Sequence, residues 1–247
     1  MKNKLVRLVK LISHAGICSR RDAEKLIISG EVLLNGKPYR DFIINSSLIN
    51  RITIHGQKLK FSRTRLWCLH KTVGLLCSNN NQYKERTIFD ILPKALPRLV
   101  SVGRLDLRSE GLLLLTTNPK LSYYLENPKN KVNRKYYLKI FGDLNSDKKR
   151  KMQAGMHVNG INYQPLKISN IIKIGKEYEI EIEIQEGKNK ELRNIMNSLD
   201  LKVNTLKRLE YGPFQLLNLK ENQVYEIPQN ELKKKLLNIG FTDIKDF

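Results

Sequence analysis

The turn signals in the first sixty residues constrain the fold most, because they leave room only for short elements. Gly16 ends a segment whose apolar residues recur at helical spacing from Leu5 to Ile12, and Gly30 ends a second such segment with Ala23, Leu26 and Ile27. The Asn35-Gly36 pair follows a short apolar run and predicts a hairpin turn. We therefore expect residues 1–61 to form a small α/β module of two short helices and a small sheet.

The second helix of this module is predicted to begin with a cap, and two arginines follow it directly. Ser19 is the expected N-cap, with Asp22 at the third helical position, where Glu or Gln is more usual. Arg20 and Arg21 lie in the first turn, where the helix dipole disfavours cations. Two solvated arginines would also satisfy the pattern, but this placement favours phosphate ligands.

The charge of the chain narrows the choice of partner. Of its 247 residues, 45 are Lys or Arg and 24 are Asp or Glu, which gives a formal net charge of +21. This excess favours a polyanion, and nucleic acid leads because phosphate neutralisation dominates its affinity for proteins. A membrane surface is the weaker alternative, since neither end of the chain reads as a basic helix with a continuous bulky apolar face. General lysine richness is the other explanation of the charge.

Several classes of protein are not expected. The longest aliphatic run, Leu112–Leu115, is too short to span a bilayer, and charges interrupt any apolar core at the N-terminus. Cys18, Cys68 and Cys77 stand far apart with no CxxC pair, and there are four histidines. These spacings argue against a zinc site or a disulfide framework. We expect a soluble cytoplasmic protein with no metal, no cofactor and no membrane association.

A second and larger unit is predicted over residues 66–247, after a linker at 62–65. Its first apolar strand is expected at Trp67-Cys68-Leu69. A polar loop is expected over 78–84, and the next stretch, 86–92, has the pattern of a helix before two prolines.

A strict alternation near the C-terminal third predicts a half-exposed strand. Residues 178–184 alternate one Tyr and three Ile with three Glu. The glutamates of this strand are expected to form a solvated face rather than a catalytic cluster of carboxylates.

A polar loop between two glycines is the candidate for chemistry. Gly103 and Gly111 flank a segment that holds Arg104 and Asp106, and the apolar run at 112–115 follows at once. The glycines free the backbone on either side of the loop, and the leucines anchor it. An Asp beside an apolar run is a candidate reactive carboxylate, although an Asp in a turn more often accepts a local hydrogen bond. The residues alone leave both interpretations open.

The N-terminal module resembles the S4-like RNA-binding domain. The resemblance rests on residues 7–10, 16–27 and 30–37, which include the helix pair and the Val-x-x-Asn-Gly-Lys turn. This family binds structured RNA with the helix pair and the hairpin. The resemblance implies RNA contacts for Arg20, Arg21 and Lys37.

The larger unit resembles the RsuA/RluB-type pseudouridine synthases. Gly-Arg-Leu-Asp at 103–106, followed by the segment 109–116, is similar to the signature of that family, in which the Asp is catalytic. The resemblance places this role on Asp106. Residues 134–142 resemble the second motif of the family, and its tyrosine falls on Tyr136. Tyr137 is the rival, but strand alternation places Tyr136 on the face of the following apolar residues.

Residues 186–196 resemble the third motif of the family. There a Leu packs against the tyrosine and an Arg pairs with the catalytic Asp, which correspond here to Leu192 and Arg193. Core packing for Leu192 and a solvated helix charge for Arg193 are the plainer alternatives. Lys190 stands where Arg is common in the family.

Two further segments depart from the pattern. Residues 116–119 read Thr-Thr-Asn-Pro where members show Thr-Asn-Asp-Gly, which puts the geometry of a turn beyond the catalytic loop in question. Residues 70–72 read His-Lys-Thr where Lys-Pro is usual.

Taken together, the resemblance implies an α+β protein whose catalytic domain is a mixed, mainly antiparallel sheet with helices on its faces. It implies isomerisation of a uridine in ribosomal RNA without a metal or a cofactor, and we expect a monomer. Its implied catalytic residues are Asp106, Tyr136 and Arg193, and its implied substrate contacts are Arg104, Leu192, Lys71, Lys190, Arg20, Arg21 and Lys37.

The RNA target and the activity each have alternatives. Residues 125–128 and 211–215 look more like the large-subunit branch, which implies 23S rRNA, and the small-subunit branch with 16S rRNA is the runner-up. A non-catalytic factor in ribosome assembly would have no need of the catalytic trio. A DNA-binding protein would require a recognition helix, and no helix-turn-helix or zinc-finger pattern is present in the sequence.

Overall fold

The computed structural model describes residues 4–78 and 85–243 of the chain, and its first sixty residues contain two helices. The helices of this N-terminal unit are α1 (Leu8–His14) and α2 (Arg20–Ser29), and its strands are β1 (Leu5–Arg7), β2 (Val32–Leu34), β3 (Lys37–Pro38), β4 (Ile43–Asn45), β5 (Ile52–Ile54) and β6 (Gln57–Lys58). A 3-10 helix covers Ser46–Arg51. Strands β3, β2, β5 and β6 form one small antiparallel sheet in that order, and β1 pairs with β4.

The predicted cap and turn are both present. The Ser19 hydroxyl accepts a hydrogen bond from the Asp22 amide at 3.1 Å and donates to the Asp22 carboxylate at 2.6 Å. Asn35 and Gly36 both have positive φ, 52° and 80°, which is the conformation that a tight two-residue hairpin turn requires. Local sequence therefore determines how α2 begins and where β2 turns into β3.

The first helix begins later than its apolar spacing predicts. Leu5–Arg7 forms strand β1 instead, because it pairs in antiparallel register with Ile43–Asn45. This pairing joins segments far apart in sequence, so helical spacing within the segment gives no sign of it.

The larger unit contains a central sheet and a separate two-stranded sheet of β11 and β12. The strands of this unit are β7 (Leu66–Lys71), β8 (Val100–Val102), β9 (Glu110–Thr116), β10 (Arg134–Phe141), β11 (Met156–Val158), β12 (Ile161–Tyr163), β13 (Lys167–Ile174), β14 (Glu177–Ile184), β15 (Lys202–Tyr211), β16 (Phe214–Gln215) and β17 (Val224–Glu226). Its helices are α3 (Pro119–Glu126), α4 (Ser146–Ala154), α5 (Glu191–Ser198) and α6 (Gln229–Asn238).

The order of the strands places the candidate loop at the middle of the central sheet. Within the described residues the order is β13-β14-β10-β15-β9-β7-β17, with β8 on β9 and β16 on β15. The β9–β15 pair is parallel, and the other pairs of this sheet are antiparallel. The sheet is thus mixed and mainly antiparallel, as the sequence predicts. The segment 103–109 enters β9 directly beside β15.

Both faces of the sheet are covered, which explains the unbroken leucine run in β9. Leu113 and Leu115 belong to the core on the α5 side, and Leu112 and Leu114 to the core that contains residues of α3 and α6. Because both faces of this strand are buried, apolar residues stand at every position and do not alternate with polar ones. The strand at 178–184 behaves differently, because its Tyr and Ile residues are buried and its Glu residues are partly exposed, as predicted.

Two further predictions concern the segment after β7. The helix expected over 86–92 is reduced to a 3-10 turn at Ile88–Asp90. The backbone amide and the hydroxyl of Thr87 both donate to the Asp90 carboxylate and so cap this turn. Of the loop expected over 78–84, residues 79–84 lie outside the described residues. In the described ranges, no helix combines the length and apolar character needed to cross a membrane.

Candidate active site

A cavity of about 450 Å³ opens beside the polar loop that precedes β9. Five of the residues that the sequence singled out line it together: Arg104, Asp106, Tyr136, Lys190 and Leu192. Its volume falls within the usual range for small-molecule sites. The first, second and third sequence motifs therefore converge on one space.

The backbone of this loop, residues 103–109, is held by groups from other elements. The Nζ of Lys71 donates to the carbonyls of Asp106 and Ser109, at 3.1 and 2.8 Å. The Cys77 thiol donates to the Leu105 carbonyl at 3.3 Å. Because buried carbonyls need donors, these contacts fix where the Asp106 side chain emerges.

Lys71 was expected to contact the substrate, which requires an exposed side chain, but the structure buries it. It is fully buried, and its ammonium donates to the carbonyl of Thr72 as well as to the two loop carbonyls. Burial lowers the pKa of Lys71, and Asp106 is among the charges that oppose this shift. These contacts indicate that Lys71 holds the loop in place and does not contact the substrate directly.

Arg193 binds the loop rather than the carboxylate of Asp106. Its Nη2 donates to the Arg108 carbonyl at 2.7 Å, and among the described residues no Asp106–Arg193 ion pair forms within 4.0 Å. Burial lowers the pKa of Arg193, while the nearby charge of Asp106 raises it. The direct pair implied by the family resemblance is therefore absent, because the guanidinium reaches a carbonyl two residues further along.

The two tyrosines of β10 point to opposite faces of the sheet. Tyr136 is 8% exposed and belongs to the core that borders the cavity, together with Leu192. Tyr137 lies on the other face, where burial and the neighbouring Glu179 raise its pKa. Strand alternation thus places Tyr136, and not Tyr137, in the cavity.

Two buried arginines line the cavity without a role assigned from the sequence. Arg134 and Arg208 are 5% and 2% exposed, and both guanidinium groups lie over the ring of Tyr211, at 4.6 and 4.9 Å from its centroid. Arg134 donates to carbonyls at the C-terminal end of α3, where the helix dipole favours a cation. Arg134 falls inside the second motif of the family resemblance, which was the available signal for it.

Arg208 has an incomplete set of hydrogen bonds. Its Nε donates to the Leu112 carbonyl at 2.7 Å, but its buried Nη2 has no hydrogen-bond partner in the described chain. Arg134 and Arg208 line the cavity together with Asp106, Glu126, Glu186 and Glu191, so charges of both signs meet there.

The remaining substrate contacts expected from the sequence lie outside the cavity. Arg20, Arg21 and Lys37 are exposed on the N-terminal unit, the first two at the start of α2 and the third in the hairpin. Within the described ranges, no three His, Cys, Asp or Glu side chains come together as a metal centre would require.

Comparisons with known proteins show which family the chain belongs to. Residues 65–198 match the model of the RNA pseudouridylate synthase family, and residues 6–41 match that of the S4 domain. An uncharacterized RNA pseudouridine synthase of Rickettsia bellii is 41% identical over 92% of this chain and 99% of its own length. Ribosomal large subunit pseudouridine synthase B of Buchnera aphidicola is 30% identical over 83% of this chain and 86% of its own length. The protein of the same name from Vibrio vulnificus is 34% identical over 85% of this chain and 68% of its own length.

A solved structure extends the likeness to the fold. The crystal structure of a pseudouridylate synthase superposes with a TM-score of 0.66 at 25% identity, covering 93% of this chain and 99% of its own. The chain belongs to the RNA pseudouridylate synthase family, in its RsuA/RluB group, and carries an S4 domain at its N-terminus. It is an RNA-modifying isomerase.

Proposed function

We propose that this enzyme isomerises a uridine of 23S ribosomal RNA, with Asp106 as its catalytic carboxylate. The observation that carries the proposal is the convergence of Asp106, Tyr136 and Leu192 on one cavity, with Arg104 and Lys190 exposed at its rim. The large-subunit target is supported by relatives from Buchnera and Vibrio that are named ribosomal large subunit pseudouridine synthase B. An rRNA substrate implies that the enzyme works in the cytoplasm.

The reaction moves the ribose from one atom of uracil to another. The bond between ribose C1′ and uracil N1 breaks, the base turns, and a bond forms between C1′ and C5. The proton on C5 leaves and N1 gains one, so that atoms and electrons balance within the nucleoside. The target base must first leave its stack to enter the cavity.

Each cavity residue has a proposed part in these steps. Asp106 acts at the ribose, as nucleophile or as base, because it is the carboxylate of the loop that enters the cavity. Tyr136 stacks on the uracil and accepts the C5 proton, and Leu192 packs beside it. Arg193 acts on Asp106 through the loop, by binding the Arg108 carbonyl.

The outer contacts are proposed to bind RNA. Arg104 and Lys190 are exposed at the rim of the cavity, where they reach the phosphate backbone next to the flipped base. Arg20, Arg21 and Lys37 supply affinity from the N-terminal unit, because single-stranded loops and bulges are the usual sites of RNA recognition. Domain limits of 1–61 and 66–247 fit this division of roles, and we expect the enzyme to act as a monomer.

The experiment is a pseudouridine map of total ribosomal RNA by carbodiimide labelling and primer extension. Cells lacking the native gene are supplied with the wild-type enzyme, with Asp106→Asn, or with no enzyme. The proposal predicts that one 23S uridine carries the mark only with the wild type. A lost 16S mark would overturn the large-subunit assignment, and an Asp106→Asn enzyme that restores the mark would overturn the role of Asp106.

A further inference from the structure

Two carboxyl groups in the wall of the cavity take no part in the reaction outlined above. Glu186 follows β14 and Glu191 is the first residue of α5, and both line the cavity that contains Asp106. They are 9% and 3% exposed. Buried carboxylates need partners, so their contacts show what holds them there.

The partners of the two carboxyl groups are unequal. Glu186 accepts from the Gln164 amide at 2.8 Å and pairs with the Lys188 ammonium at 2.6 Å. Glu191 accepts from the Lys188 amide at 2.9 Å through Oε2, whereas its buried Oε1 meets no donor in the described chain. The two carboxyl groups are joined through Lys188, whose ammonium pairs with Glu186 and whose amide donates to Glu191. Each carboxyl group also affects the pKa of the other.

Two ionised carboxylates cannot hydrogen-bond, because each offers only acceptors. Burial raises the pKa of Glu191 to about 7, with the neighbouring Glu186 charge adding to the shift. Burial also acts to raise the pKa of Glu186, but Lys188 and the Gln164 amide bring it below its ordinary value. A single proton on Glu191 would turn this carboxyl group into a donor toward Glu186 and remove the repulsion between two buried charges.

We propose that Glu191 is a positioning residue of the catalytic cavity, which shares one proton with Glu186 and so ties the start of α5 to the end of β14. The residues between them, 187–190, form part of the cavity lining, and Leu192 and Arg193 follow on the first turn of α5. Losing the proton would place two negative charges face to face and loosen this rim. The inference rests on the proposed function only in taking this cavity as the catalytic one.

The other groups around the pair favour this distribution of charge. From the segment after β12, Gln164 donates to Glu186, and the Lys188 ammonium lies over the Tyr163 ring at 5.6 Å. From β10, Arg134 donates to the Glu186 carbonyl, not to its carboxylate. Asp106 and Arg208 line the same cavity, and neither forms an ion pair with the pair of glutamates among the described contacts. Lys188 thus stabilises the charge of Glu186 and leaves the proton to Glu191.

The first test is the pH profile of kcat/KM on 23S rRNA transcripts. For the wild type we expect a fall of roughly tenfold between pH 6 and pH 8, as a group titrating near pH 7 loses its proton. Glu191→Gln carries a permanent N–H donor, so it should keep the activity of pH 6 and show a flatter profile up to pH 8. Glu191→Ala should be impaired throughout, and Glu231→Gln on the exposed side of α6 should follow the wild type. A Glu191→Gln profile that falls like that of the wild type would overturn the proposal.

The second test needs no RNA substrate, so it separates this proposal from the choice of target. Since the native pKa of Glu191 is raised, its contribution to stability is complete below the unfolded value of 4.5 and is lost as the pH rises through about 7. The urea midpoint of the wild type should therefore fall between pH 5 and pH 8 relative to that of Glu191→Gln. Equal changes in both proteins would refute the shared proton, whether or not 23S rRNA is the substrate.

Discussion

At the scale of single residues, side chains of the same type can lie inside or outside the cavity. Tyr136 and Tyr137 are neighbours with the same chemistry, yet only Tyr136 lines the cavity, because successive residues of β10 face opposite sides of the sheet. The family resemblance pointed to Tyr136 and strand alternation supported it, so sequence and resemblance together were sufficient to place this residue in the cavity.

The two tyrosines provide a matched pair for mutation. Tyr136→Leu removes the ring proposed to stack on uracil, and stacking on an aromatic ring is worth about 1–3 kcal/mol. We expect kcat/KM to fall at least tenfold, as measured by tritium release from RNA labelled at uridine C5. Tyr136→Phe keeps the ring and should separate stacking from proton transfer. Tyr137→Leu serves as the control, and an equal loss there would contradict the assignment.

Lys71 shows where reading single residues from sequence fails. A lysine beside a motif in a basic protein suggests a contact with RNA, but this one is fully buried under the loop. Only the packing of β7 against the loop shows that its three hydrogen bonds go to carbonyls. Its task depends on long-range geometry, which its neighbours in sequence do not encode.

Replacing Lys71 by Met tests this structural role. Each buried carbonyl left without a donor costs about 1–3 kcal/mol, partly offset by the removal of a buried charge. We expect urea unfolding to give a loss of about 2–4 kcal/mol, together with reduced kcat. Lys94→Met, at an exposed position, should change stability by less than about 0.5 kcal/mol. Unchanged stability with weaker RNA binding would instead restore Lys71 as a substrate contact.

At the scale of elements, the parallel contact between β9 and β15 determines where the Asp106 loop enters the sheet. Gly111 lies opposite Arg208, and a Cβ at Gly111 would stand 2.3 Å from the Arg208 carbonyl oxygen. Its φ of 104° also suits glycine. The two strands approach each other here more closely than any side chain allows.

Gly111→Ala should therefore destabilise the protein severely. We expect a loss of at least about 3 kcal/mol in urea unfolding, since both the backbone contact and the positive φ are disturbed. The control is Gly175→Ala in the β13–β14 turn, where φ is 62° and a Cβ would meet nothing within 4 Å. That variant should lose only about 1 kcal/mol. Similar losses in both variants would show that the contact with Arg208 is unimportant.

Elements with strong local signals were predictable, and those shaped by distant partners were not. The cap at Ser19, the hairpin at Asn35-Gly36 and the strand at 178–184 are determined by their own residues and are confirmed. The helix predicted to start at Leu5 is wrong at its first turn, since that segment pairs with β4. The helix predicted over 86–92 is wrong as well, because the segment is only a short turn that closes over the core.

At the scale of the whole molecule, we propose that the N-terminal unit and the unit that contains the cavity bind one RNA together. The net charge of +21 predicts an affinity that falls steeply with salt. Arg20 and Arg21 are exposed at the start of α2, outside the cavity, so we expect them to contribute to affinity and not to the chemical step.

Replacing Arg20 and Arg21 together by Ala tests this division. We expect weaker rRNA binding and a slope of log affinity against log salt that is less steep by about one to two units. The rate at saturating RNA should stay within about twofold, because the cavity is untouched. Replacing Lys233 and Lys234 on exposed α6 removes the same charge and should change the slope less. An equal effect would mean that charge acts without regard to position.

The central claim is that Asp106 performs the chemistry in this cavity, and single-turnover tritium release tests it most directly. Purified wild-type enzyme and Asp106→Asn are each mixed in excess with rRNA labelled at uridine C5, and RNA affinity is measured in parallel. Asp200→Asn is the control, since Asp200 is exposed and its positive φ of 54° suits Asn. The account predicts that Asp106→Asn binds RNA as the wild type does but releases tritium at least about a thousandfold more slowly. Release by Asp106→Asn at a rate near that of the wild type would contradict it.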